Sequence, residues 1–320
     1  MKTRLCILCM LLVVPGASAQ TVSYGLAPEW PGAAAKFGQV AAVAINSQGH
    51  VLVLHRGPQP IMEFDAGGKF LRSWGEGLFS DGRVVRVAPA DRRPGGSGYT
   101  AADGPGGCRN CGAHSIRVDP RGNIWVADAT GHVVYKVNGQ GTVLMQLGER
   151  GAPGTDREHF NLPTDMAFGP NGEVYVSDGY ANPRVVKFSR DGKYLLEWGT
   201  RGSGPGEFQL PHNLVADAQG RVYVTDRDNR RVQVFDGNGK FLKQWPTDTE
   251  VSSLFMTKDQ RIWAGGVLRE LDGKVVDRLP EAGGQGNTAA GIAIHGTAVS
   301  DSGDVYLALL TGSVQKFVKP

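Results

Sequence analysis

Three stretches of the chain superpose without gaps: DPRGNIWVAD (119–128), GPNGEVYVSD (169–178) and DAQGRVYVTD (217–226). Weaker copies are NSQGHVLVLH (46–55), TKDQRIWAGG (257–266) and SDSGDVYLAL (300–309). Each is a turn followed by alternating apolar residues, the signature of a hairpin and its strand. A short strand precedes the turn, as in HSIRV (114–118), and two more follow, as in RVVKFS (184–189) and KYLLEW (193–198). Measured between the turn residues Gly49, Gly122, Gly172, Gly220, Gln260 and Gly303, the spacings are 73, 50, 48, 40 and 43. Short strands in fours at this period describe β-propeller blades, so the chain is predicted to be an all-β, six-bladed β-propeller. Its 46 glycines in 320 residues are about twice the ordinary share, as so many tight turns require. The long first spacing marks an insertion near residues 83–107, rich in Gly and carrying Arg83, Arg86, Arg92 and Arg93. It reads either as a disordered surface loop or as a lid over one face.

The first residues stand apart. Lys2 and Arg4 precede an apolar run from Leu5 to Val14, and Ala17-Ser18-Ala19 offers a small-residue cleavage site. The run is too short for a stable membrane anchor, and Cys9 lies inside it, which argues against a lipid-bearing cysteine at the cleavage point. The expectation is a signal peptide at 1–19 and one propeller domain at 20–320, exported to the periplasm or secreted, without an anchor. With 34 basic and 31 acidic residues the formal charge is +3, which gives no electrostatic footprint for nucleic acid. Cys108 and Cys111, in GGCRNCGAHS (106–115), are the cysteines left beyond the leader. In an exported protein they read as a short-loop disulfide. Gly112, not His, stands immediately after the second Cys, so haem attachment does not fit.

The repeat supplies a ruler for the rest. Eight residues before the turn position, at the start of the inner strand, copies two, four and six hold His114, His212 and His295. Copies one, three and five hold Ala41, Thr164 and Ser252. First strands line a propeller's channel, so alternate blades aim inward at intervals of about 120°. Three converging imidazoles with an open fourth position suit catalytic zinc, and the same ligands also accept Fe, Mn or Cu. The competing reading is that the histidines cap strand starts or bond loop carbonyls. Seven residues after the turn position come Arg56 and Arg227, and one further on in copy three comes Tyr180. Strand geometry puts these on the face of the histidines. Paired guanidiniums suit bidentate capture of a carboxylate, and a phenol beside a metal cation can serve as general base. Taken singly, Arg227 is explained by its neighbours Asp226 and Asp228, and Tyr180 by a loop-anchoring role. Asp128, Asp178 and Asp226, six residues after the turn, read as structural carboxylates that accept backbone N–H groups.

These motifs resemble one family. LHRG (54–57), HSIRVDPRGNIWVAD (114–128), LPTDMAFGPNGEVYVSDGYAN (162–182), LPHNLV (210–215) and DRDNRRVQVF (226–235) look like the NHL-repeat propellers of the peptidyl-α-hydroxyglycine α-amidating lyases. The resemblance extends over residues 36–320 and is densest from Cys111 to Phe235. It implies a zinc ion held by His114, His212 and His295, with Tyr180 as base and Arg56 and Arg227 at the substrate. The implied reaction cleaves a carbinolamide C–N bond to give a peptide amide and glyoxylate. It further implies a small-molecule or peptide substrate with a free carboxylate, and a monomer is expected. The sequence also departs from the family. Gly296 stands where an acidic residue helps to hold a structural Ca2+, which argues against calcium here. The pairs Asn161 with Ala181 and Tyr223 with Val234 replace two disulfides of the animal enzymes, and the CRNC element lies outside the family pattern. Two other readings compete: a non-enzymatic exported NHL propeller that binds peptide, glycan or protein, and a propeller lactonase or hydrolase. In-register histidines are superfluous in a bare scaffold, and the lactonase type relies on carboxylate and Asn ligands instead.

Overall fold

The computed structural model describes residues 24–32, 35–88, 90, 98–102, 109–280 and 294–320. The leader at 1–19, Arg92, Arg93 and Cys108 lie outside the described residues. The six repeats form six four-stranded sheets, and no α-helix occurs among the described residues. Blade one runs from axis to rim as Val40–Ile45, Val51–His55, Ile61–Phe64 and Phe70–Trp74. Inner strands of blades two to five are Ala113–Val118, Asp165–Phe168, Pro211–Ala216 and Leu254–Met256. Blade six departs from the simple repeat. It contains Ile294–Val299, Val305–Leu309 and Ser313–Val318, and its outer strand is Gly25–Ala27 from the other end of the chain. Gly25 pairs with Val318, Leu26 with Phe317 and Ala27 with Lys316. Reading each repeat as a contiguous unit misses this exchange. The exchange closes the ring with backbone hydrogen bonds where side-chain packing alone would otherwise join last blade to first.

Packing explains the strand sequences. Val51–His55, Ile124–Asp128, Val174–Asp178, Val222–Asp226 and Val305–Leu309 are buried along their whole length, because a neighbouring blade covers each face. Side chains alternate between the two faces. Ile124 and Val126 pack toward blade one, whereas Trp125 and Ala127 pack toward blade three. Six apolar clusters result, one at each blade boundary.

The turn residues that measured the repeat all adopt left-handed backbone, with φ of +78° at Gly49, +81° at Gly122, +88° at Gly172, +77° at Gly220 and +93° at Gly303. Gln260 takes the same conformation at +61°, and its side-chain oxygen accepts from the Ala218 N–H at 2.7 Å. The fifth copy therefore keeps the turn without its glycine.

The long connection between blades one and two contains a hairpin, Arg83–Arg86 paired with Tyr99–Ala102. Cys111 is buried.

Trp30 follows the closing strand and packs between blades six and one, 5.0 Å from the Tyr306 ring and 5.8 Å from that of Phe64. Trp30→Ala is expected to cost about 3–5 kcal/mol, read as a lower midpoint in chemical denaturation. An unchanged midpoint would show that this segment does not hold the ring closed.

Candidate active site

Four of the inner strands open on a β-bulge; that of blade one falls at Ala41, and the other three carry the histidines. Register shifts fall between Ala113 and Ser115, Pro211 and Asn213, and Ile294 and Gly296, so His114, His212 and His295 are each the extra residue. A bulge re-aims the side chain it carries, and here it turns all three imidazoles to the axis. Ring centroids lie 5.0 Å apart for His114 and His212, 4.7 Å for His114 and His295, and 4.9 Å for His212 and His295. One nitrogen from each lies within 4.8 Å of the other two.

The remaining blades orient these rings. His114 Nδ1 donates to the Thr164 carbonyl at 2.5 Å, His212 Nδ1 to that of Ser252 at 3.0 Å, and His295 Nδ1 to that of Ala41 at 2.7 Å. The three acceptors are the residues in the same register on blades three, five and one. A carbonyl can only accept, so each Nδ1 carries the proton and each Nε2 keeps its lone pair. Burial, helped by His295 and Arg56, holds His114 well below the usual imidazole range. Burial, then Arg227, does the same for His212, and burial, then Arg56, pushes His295 down to about 3. All three are neutral at physiological pH, the state in which an imidazole binds metal.

Tyr180 reaches this centre from the end of blade three's second strand. Its hydroxyl lies 2.9 Å from His114 Nε2 and 3.2 Å from His212 Nε2. Gly179 makes the approach possible, since a Cβ there would collide with the Pro211 carbonyl on the strand that bears His212. Burial raises the Tyr180 pKa, while Arg227 and Arg56 oppose the rise. Arg227 is buried, donates from Nε to Asp228 at 3.0 Å and from Nη2 to the Tyr99 hydroxyl at 2.7 Å, and lies 6.0 Å from the Tyr180 ring. Arg56 donates from Nε to the Ala113 carbonyl at 3.2 Å and from Nη1 to Gln39 at 3.0 Å. The structure thus brings His114, His212, His295, Tyr180, Arg56 and Arg227 to one mouth. Asp228 pairs with Arg227, and among the described residues no carboxylate lies within ion-pair distance of Arg56.

The three repeated carboxylates stitch each blade to the chain entering it. Asp178 accepts from the Asn161 N–H at 2.8 Å and from Arg184 at 3.1 Å. Asp226 accepts from the N–H groups of Gln209 and Leu210 and from Arg231. Asp128 accepts from the Ser80 N–H and from Gly131. Burial pushes the Asp178 carboxyl up to about 6.

Below the histidines the axis is polar. The Arg117 guanidinium donates to Asp165, to Asn213 at 2.8 Å and to the Leu254 carbonyl at 3.1 Å, joining four blades. Gly296 has no room for a side chain, since a Cβ there would lie 2.7 Å from Ala42 Cα. Beyond Arg117 the channel opens at the far mouth into a cavity of ≈ 580 Å³. Sequence reasoning overlooked the carbonyl acceptors, Tyr99 and Arg117. The acceptors share the histidines' register and so were open to detection, whereas Tyr99 lies in an insertion outside the repeat.

Fold and site define a six-bladed β-propeller with a three-histidine centre at one mouth. A family model described as a 6-bladed beta-propeller matches residues 169–264. Peptidyl-glycine alpha-amidating monooxygenase B of Xenopus laevis is 31% identical over 304 residues, 87% of this chain and 34% of that protein. The probable peptidyl-alpha-hydroxyglycine alpha-amidating lyase pgal-1 of Caenorhabditis elegans is 29% identical over 235 residues, 68% of this chain and 61% of its own length. NHL repeat-containing protein 3 of Mus musculus is 33% identical over 229 residues, covering 68% and 58%. By sequence the chain is a homologue of the peptidyl-α-hydroxyglycine α-amidating lyases and of the NHL repeat-containing proteins. It spans 26% and 34% of the two Xenopus monooxygenases it matches. Among solved structures a streptogramin B lyase shares the fold, with TM-score 0.59 at 14% identity over 95% of this chain and 100% of the other.

Removing the Asp226 carboxylate would strand two backbone N–H groups and the Arg231 guanidinium in the interior. Asp226→Ala is therefore expected to destabilise the chain by about 3–5 kcal/mol, measured by chemical denaturation. Unchanged stability would show that the carboxylate does not stitch the blade.

Proposed function

We propose that the chain is a metal-dependent lyase that cleaves the carbinolamide C–N bond of an N-acyl-α-hydroxyglycine, giving an amide and glyoxylate. The observation that carries this reading is the convergence of three buried, neutral imidazoles beside a phenol that touches two of them. The names of the amidating relatives support the substrate class. The N-terminal leader and the Cys108–Cys111 pair support an exported, oxidising setting.

The donor set suits a zinc-class ion. Atoms no more than 4.8 Å apart share a point at most about 2.8 Å from each, so a modest closing of the rings reaches the roughly 2.0–2.1 Å of a Zn–N bond. His114, His212 and His295 would hold the ion through Nε2, because each Nδ1 is committed to a carbonyl. When bound, such an ion supplies Lewis acidity at the substrate's α-hydroxyl.

The chain's own groups account for the remainder. Arg227 and Arg56 bind the carboxylate and fix the orientation of the carbon that bears the hydroxyl. Tyr180 takes the hydroxyl proton, and the two guanidiniums favour the phenolate that this role needs. The released electron pair forms the aldehyde carbonyl, and the C–N bonding pair passes to the amide nitrogen. That nitrogen regains a proton from Tyr180. RCONH–CH(OH)–COO⁻ thereby becomes RCONH₂ and OHC–COO⁻, with no water or redox equivalent consumed.

An axial calcium does not suit these residues. A side chain at position 296 would meet the blade-one backbone, and the Arg117 guanidinium already brings positive charge to the axis.

Zinc-loaded protein incubated with α-hydroxyhippurate is expected to release glyoxylate. Tyr180→Phe should lower kcat/KM by about a hundredfold or more, and His212→Ala should abolish turnover. Wild-type release no greater than that of His212→Ala would overturn the lyase reading and favour a binding propeller. The thermal midpoint is expected to be the same in EGTA and in millimolar calcium. A rise of several degrees with calcium would restore the axial site.

A further inference from the structure

The register that gathers the histidines at one mouth of the channel also marks the other mouth. Four residues before the turn position stand Ile45, Val118, Phe168, Ala216, Met256 and Val299, one from each blade. Each is the half-buried last residue of its inner strand, and all six line the ≈ 580 Å³ cavity at the far end of the channel. A contiguous apolar lining that opens to solvent marks a binding surface, and the volume suits a small molecule, whose pockets run to roughly 300–1,000 Å³. Polar side chains around the cavity are largely engaged. Asn46 holds Glu63 and the His50 N–H, Thr297 meets Ser253 at 2.8 Å, and Lys258 pairs with Asp301 at 2.7 Å. Arg117 differs. Its Nε and Nη2 serve Asp165, Asn213 and the Leu254 carbonyl, whereas Nη1 has no acceptor among the described residues and is not sealed from the cavity it lines. The apolar ring thus encloses one uncommitted pair of N–H donors.

We propose that this far mouth is a second binding site, for an uncharged acyl compound whose carbonyl oxygen accepts from Arg117 Nη1 and whose chain lies among the six strand ends. Charge selects the uncharged form. Asp165 neutralises the Arg117 guanidinium at 2.6 Å and Asp301 neutralises Lys258. Asp119, also in the lining, is a carboxylate held by N–H groups of Arg121, Asn123 and Trp125, with no cation at ion-pair distance among the described residues. An entering carboxylate therefore meets no surplus positive charge. It also finds Nη1 alone, because Nη2 already serves three acceptors, so the two-nitrogen grip that favours carboxylates is closed to it. A single carbonyl oxygen is satisfied by that one nitrogen. None of the three histidines lines this cavity, and the proposal stands independently of the lyase reading.

The test is calorimetric titration of the protein with octanamide, hexanamide, octanoate and octylammonium. Octanamide is expected to bind at the far mouth. Hexanamide, shorter by two methylenes, should bind about fifteenfold more weakly if the chain is buried. Octylammonium, which offers no acceptor, should bind at least about tenfold more weakly, and octanoate more weakly than the amide. Ala216→Phe fills the cavity from blade four without touching the Arg117 contacts, and should weaken octanamide at least about tenfold with an unchanged thermal midpoint. Ile45→Trp, from blade one, is the second variant should the first fail to fold. Absence of octanamide binding would overturn the proposal. So would wild-type affinity in the cavity-filling variant, which would place the amide elsewhere on the molecule. Octylammonium binding equal to that of octanamide would remove the role of Arg117, and octanoate binding as tight as octanamide would overturn the uncharged class.

Discussion

The centre of this molecule depends on a hydrogen bond that crosses a blade boundary three times. Each histidine on an even blade donates its Nδ1 proton to a carbonyl on the next odd blade, at the same position of the repeat. A buried donor left without such an acceptor costs about 1–3 kcal/mol, so three burials in one layer are tolerable only because the ring supplies three acceptors. The bond also chooses the tautomer and points each free lone pair at the axis. Site geometry is consequently tied to ring closure. His295 takes its acceptor, Ala41, from blade one, and that boundary is the one the N-terminal strand Gly25–Ala27 closes by completing blade six. A break in the outermost strand of the ring would be felt at its innermost layer.

Around that layer the chain separates structural charge from chemical charge. Asp128, Asp178 and Asp226 are spent on backbone N–H groups and on Arg184 or Arg231. Arg117 meets Asp165 and Asn213 on the axis below. Arg56 and Arg227 differ, since they flank neutral imidazoles and a phenol. Tyr180 sits in the resulting tension. Burial favours its neutral form and outweighs the two guanidiniums, which favour its phenolate. The ≈ 580 Å³ cavity at the far mouth includes Arg117, Asp119, Lys258 and Asp301 in its lining and none of the three histidines.

Much of this was legible because the repeat is a ruler. Counting from Gly122, Gly220 and Gly303 put three histidines in register. The same count found Arg56, Arg227 and Tyr180, since blade geometry converts equal offsets into equal depths along the channel. The closing strand was not legible. Its three residues, Gly25–Ala27, carry too short a pattern to declare a partner nearly three hundred positions away. Tyr99 was hidden for a different reason. Its insertion occurs once, so no second copy marks which residue faces the site, and only the packing against Tyr180 and Arg227 reveals it.

The odd blades show how far such a ring can diverge. Ala41 lacks the hydroxyl that Thr164 and Ser252 carry, yet each performs the same task, because the task belongs to a main-chain carbonyl. Blade five keeps its turn on a left-handed Gln260 in place of glycine, and its inner strand, Leu254–Met256, is only three residues long. It still orients His212 through the Ser252 carbonyl, as blade three orients His114 through that of Thr164. The histidine layer therefore constrains the even blades by residue and the odd blades by backbone path, while Tyr180 and Arg56 are the side chains that blades three and one add beside it. Weak copies in the sequence are for that reason no sign of a weakened site, provided that all six blades are present and the ring is closed.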